Sequence, residues 1–118
     1  MSTSEWCIYV MTNPAMPGIV KVGGSICPDA RADQLSSGSG VPLPFVVEFA
    51  TWVDFGSQTE VIAHRALAEH RVSPSREFFR VSVDEAIEAI HAAAILANWN
   101  KAGKEAREQF LERIGASQ

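Results

Sequence analysis

The chain has a single tyrosine, only two cysteines and fewer basic than acidic residues. Each scarcity excludes something. Cys7 and Cys27 have no spaced partners, so neither a disulfide framework nor a thiolate zinc site is expected. The longest strongly apolar stretch, 86–97, is interrupted by Glu88 and His91 and falls short of the roughly 20 residues that span a bilayer. No membrane role is expected. Residues 1–5 offer neither a basic nor an apolar leader region, so a cytoplasmic, reducing location is the expectation. Ten Lys and Arg against fourteen Asp and Glu give a net charge of −4, which argues against nonspecific coating of nucleic acid.

What is present fits one soluble domain: 118 residues, 47% hydrophobic and 20% charged. Arg65, Arg71, Arg76 and Arg80, with His64 and His70, crowd a segment whose only acids are Glu69 and Glu77. A local basic patch on an acidic protein is consistent with that pattern.

Residues 6–12 are apolar on both alternations, the signature of a central strand. Turn chemistry follows at Pro14–Gly18, then a short return strand over 19–23 that Gly23-Gly24 is expected to break. Pro28 suits the first turn of a helix through Arg31 and Leu35, ending near Ser37-Gly38. Ser36 to Gly40 is a loop by composition, and Phe45–Val53 is β-prone. Ser57-Gln-Thr-Glu60 reads as a capping box opening a helix to about His70. A turn at 72–76 and an extended segment at 77–81 precede a second capping box, Ser82-Val-Asp-Glu85. That box starts an alanine-rich helix to about Asn98, with a further helix expected over Lys101–Ile114. The order predicts an α+β fold: a small, mainly antiparallel sheet of three main strands flanked by helices, with a helical C-terminal extension. The expected division is a domain over 6–90 and an extension over 91–118, packed on the same domain or on a partner.

Few residues can do chemistry. Tyr9 lies mid-strand, where a half-buried structural tyrosine is the alternative. Lys21 is the lone charge of the return strand: a solvent-facing guard against edge pairing, or a cation aimed at phosphate with Gly23 and Gly24 admitting a close backbone. Arg31 is a surface arginine, or converges with Lys21 on one anion. Glu60 sits at the third position of its capping box, and an oxygen ligand there also suits a hard divalent cation. On a helix reaching His70, His64 and Arg71 would share its face. Phe78-Phe79, Trp6, Trp52 and Trp99 read as packing residues, and Ile87, Ile90, Ala94 and Ala97 form a stripe for a core or a partner.

Taken in order, Cys7-Ile8-Tyr9, the Asn13–Gly18 turn, Lys21-Val22-Gly23, Arg31 with Gln34-Leu35-Ser36, Gly40-Val41-Pro42, Glu60 with His64, and Arg71 with Arg76-Glu77-Phe78-Phe79 resemble the GIY-YIG endonuclease superfamily. The similarity is to its compact phage-type branch, related to a meiotically up-regulated fungal family. The resemblance implies a Mg²⁺- or Mn²⁺-dependent endonuclease acting on DNA. Tyr9 would activate or position the attacking water, Arg31 would stabilise the scissile phosphate, and Glu60 would hold the metal. Lys21 and His64 would assist, with Gly23, Ser25, Arg71 and Arg76 at the phosphates. Cys7 and Lys21 depart from the superfamily's glycine and second tyrosine, leaving Tyr9 as the one candidate phenol. A second expectation is a binding or inhibitory scaffold with weak or no cleavage, pairing through its C-terminal helices with itself or a partner protein.

Overall fold

The computed structural model describes residues 6–113 apart from 39 and 75; the expected helix end at Ile114 and the segment 1–5 lie outside the described residues. Four strands, β1 (Cys7–Thr12), β2 (Val20–Ser25), β3 (Val46–Trp52) and β4 (Phe78–Phe79), form one antiparallel sheet in the order β3-β1-β2-β4. The double apolar alternation of β1 is used in full, since residues 7–11 are all buried. Helix α1 (Pro28–Ser36) covers one face, where Tyr9, Met11 and Ala32 form a small core with Leu35, Phe45 and Val47. On the other face, α2 (Gly56–Ala66) and α3 (Val83–Arg113) close the main core over Ile8, Val10, Val20 and Val22. Each such aliphatic side chain contributes about 1.5–3 kcal/mol by leaving water.

The hairpin register sets Tyr9 opposite Gly23 and Met11 opposite Lys21, so Tyr9, Lys21 and Gly23 share the α1 face. Asn13 secures the turn. Its amide donates to the Leu43 carbonyl at 2.7 Å, and its Oδ1 accepts from the Ala15 N–H at 2.9 Å. At Gly18, φ is +80°, a conformation that favours glycine.

Five local expectations are corrected. Strand β2 does not break at the glycines but continues through Gly23 and Gly24 to Ser25. Helix α2 starts at Gly56, with Phe55 as its N-cap and no side-chain capping bond, so Ser57-Glu60 is not a capping box. Tertiary packing moved that start: a Cβ on Gly56 would strike the Trp6 ring, so only glycine lets the helix begin there. The helix ends at Ala66 and gives way to a 3-10 turn at Ala68–His70, so Arg71 leaves the face shared by Glu60 and His64. The two expected C-terminal helices are one, because Gly103 is exposed and costs about 1 kcal/mol, which the flanking helix absorbs. Trp52 and Trp99 are 62% and 72% exposed rather than packed. The second capping box stands as expected: the Glu85 N–H donates to Ser82 Oγ, and the Ser82 N–H to Glu85 Oε1, both at 3.0 Å. No helix among the described residues is long and apolar enough to cross a membrane.

Candidate active site at the open edge of strand β2

Strand β4 is two residues long and pairs only Val20 and Lys21 of β2. The next residue is satisfied differently. The Val22 N–H donates to the Glu77 carbonyl at 3.1 Å, and the Val22 carbonyl accepts from His64 Nε2 at 2.8 Å. An imidazole from α2 thus stands where a longer β4 would have continued the ladder. With Nε2–H held by that carbonyl, Nδ1 is the lone-pair nitrogen of the neutral ring.

The following two residues are Gly23 and Gly24, one facing each side of the sheet. A Cβ on Gly23 would lie 2.7 Å from Tyr9 Oη and 3.1 Å from Glu77 Oε1. On Gly24 it would lie 2.8 Å from Glu60 Oε1 and collide with the Trp6 indole. Two missing side chains therefore let groups from opposite faces meet around one strand. Tyr9 and Glu77 approach from the α1 side and Glu60 from the α2 side. Lysine or arginine at position 24 would have no room.

Glu60, His64 and Glu77 each place one ligating atom within 4.8 Å of the other two, and all three are half-buried. Burial raises the Glu60 carboxyl above its ordinary value, and the adjacent Glu77 charge and hydrogen bond raise it further. His64 and Lys21 pull it back in part. Two carboxylates and an imidazole could hold a divalent cation through mainly oxygen donors.

Tyr9 is buried, with 1% of its surface exposed. Burial raises its phenol above the ordinary value, while a hydrogen bond to Arg31 and that guanidinium's charge oppose the rise. It stays a neutral phenol near pH 7. Arg31 also donates to Gln34 Oε1 at 2.6 Å from the next turn of α1. Lys21 is buried rather than solvent-facing, with its Nζ 3.5 Å from Glu77 Oε1 and 5.2 Å from the centre of the Phe78 ring.

The structure therefore gathers Tyr9, Lys21, Gly23, Arg31, Glu60 and His64. Arg76 is exposed at the rim of the adjoining cleft, where Lys21 and Arg31 also project. The Ser25 hydroxyl accepts from the Cys27 N–H at 3.1 Å and shapes the entry into α1, and Ser25 lines a surface recess together with Arg31 and Gln34. Arg71 lies over the Phe79 ring at 5.5 Å and donates to the Arg76 carbonyl at 2.9 Å, so it braces the 71–76 turn. Glu77 is the residue that sequence reasoning passed over. The one available signal was an acid directly before Phe78-Phe79, and its place at the site depends on how far β4 extends.

The antiparallel α+β domain thus brings two carboxylates, an imidazole, a phenol and the cations of Lys21 and Arg31 together around one strand edge. The chain belongs to the T5orf172 domain family, whose model matches residues 6–94. No curated protein and no solved structure matches it.

Proposed function

We propose that this protein is a divalent-metal-dependent endonuclease of the GIY-YIG type, hydrolysing phosphodiester bonds in DNA. Membership of the T5orf172 family supports a nuclease-like or DNA-binding role. The observation that carries the finer reading is the convergence of Glu60, Tyr9 and Arg31 about Gly23 and Gly24. Nothing in a purely structural domain requires two carboxylates to face each other there, at a cost in repulsion.

Glu60 and Glu77, with His64 beside them, have the donor chemistry to hold Mg²⁺ or Mn²⁺, and imidazole makes Mn²⁺ the more readily accepted ion. Bound there, the cation would polarise a phosphoryl oxygen and neutralise charge on the leaving oxygen. Arg31 offers a fixed, permanently charged donor set to the non-bridging oxygens of the scissile phosphate, where negative charge grows in the transition state. Tyr9 is held at one end by Arg31, so its hydroxyl positions the attacking water rather than removing its proton. Lys21 holds Glu77 in place and adds positive charge to the phosphate path.

The test is supercoiled plasmid incubated with purified protein and Mn²⁺, beside Glu60→Gln and Tyr9→Phe. Nicking by the wild type, lost in both folded variants, is the expected result. An intact plasmid with folded wild-type protein would refute the nuclease and favour the binding scaffold.

A further inference from the structure

Next to the carboxylates, on the α1 face, the fold leaves a cleft of about 560 Å³, within the size range of small-ligand sites. A nuclease that only tracks the backbone of intact duplex needs a basic groove and no pocket. Apolar and charged side chains both line this cleft. Met16, Leu35, Val41 and Pro42 line it together with two phenylalanines. Phe45 and Phe78 lie nearly parallel, with centroids 6.3 Å apart and an interplanar angle of 25°, and both are only partly buried. Lys21, Arg31 and Arg76 line it as well, together with Glu77, which pairs with Lys21, and the Lys21 ammonium lies over the Phe78 ring.

We infer that this cleft receives an unpaired nucleobase of the substrate, so that the protein acts on DNA whose bases are single-stranded or extruded from the stack. The inference rests on the nuclease reading for its substrate, but it stands on different residues. A phosphate alone cannot use the apolar wall, and an aliphatic ligand gains nothing from three cations. A nucleotide uses both at once: its flat base stacks on Phe45 or Phe78, and its phosphates meet Lys21, Arg31 and Arg76. Arg31 belongs to both the cleft and the cluster around Tyr9, so a nucleotide seated in the cleft has its phosphate beside the candidate catalytic groups. The cost of unpairing a base within a duplex makes mismatched, looped or single-stranded sites the preferred ones.

The probe is an oligonucleotide of about 12 nucleotides, within the usual footprint of single-strand binders. It carries one 2-aminopurine and is offered single-stranded or fully paired. Binding is followed by anisotropy and 2-aminopurine fluorescence in EDTA, where cleavage plays no part. The full-length wild type should bind the single strand more tightly and change the fluorescence. Phe78→Leu and Phe45→Leu keep an apolar wall but lose the stacking surface. They should weaken single-strand binding about 5- to 150-fold and leave duplex binding nearly unchanged. Equal affinity for both probes, or leucine variants that bind like wild type, would overturn the inference even if plasmid is nicked. Conversely, phenylalanine-dependent binding of the single strand without any nicking would keep the cleft assignment and reject the nuclease.

Discussion

Neutralising Glu60 should stabilise the protein while removing the proposed activity. Two unit charges 4.8 Å apart, the outer limit for this cluster, repel by about 0.9 kcal/mol in water and about 3.5 kcal/mol at an effective dielectric of 20. Both carboxylates are partly exposed and Lys21 lies 3.5 Å from Glu77, so the lower figure governs, and Glu60→Gln should gain about 1 kcal/mol. For a chain of this size that is a rise of about 3–6 °C in Tm, read by circular dichroism in EDTA at about pH 7. The direction with pH follows from the raised carboxyl of Glu60. A carboxyl whose folded value lies above its unfolded one contributes stability fully below the unfolded value, near pH 4.3 (an approximate reference), and loses it as pH rises through the folded value. The advantage of glutamine should therefore be present near neutrality and vanish at about pH 4. Added Mn²⁺ should narrow the gap by stabilising wild type more than the variant. A variant less stable than wild type at neutral pH in EDTA would refute the picture of two opposed carboxylates.

Two further outcomes follow from the packing. Gly24→Ala forces a methyl group into the Trp6 indole and toward Glu60, and should cost about 1–3 kcal/mol in urea unfolding, where a neutral result would mean that Trp6 swings aside freely. Ser82→Ala removes one bond of the reciprocal cap at the start of α3 and should cost about 0.5–2 kcal/mol; an unchanged urea midpoint would show that the cap is dispensable.

The two capping boxes show where local reading succeeds and where it fails. Ser82-Glu85 caps because the preceding segment leaves α3 free to start where its own side chains direct. Ser57-Glu60 has the same residue types, yet the packing of Gly56 against Trp6 draws the helix start forward by contacts fifty residues apart in sequence (about that separation). That shift takes Glu60 out of a capping role and leaves its carboxylate at the site. Lys21 makes the same point: its place on the return strand was legible locally, but not its burial against Glu77 and Phe78.

Short-range chemistry alone determined the hairpin with Tyr9 and Lys21 on one face, the α+β order and the start of α3, because each rests on turn residues, alternation or caps within a few positions. Only the tertiary structure decided the length of β4, and with it the open edge of β2. Where that ladder stops depends on how the 71–79 segment folds back on a strand some fifty residues earlier (an approximate span), a competition among long-range contacts that no local pattern encodes. Glu77, the aromatic cleft and the meeting of three ligating groups all follow from that stop.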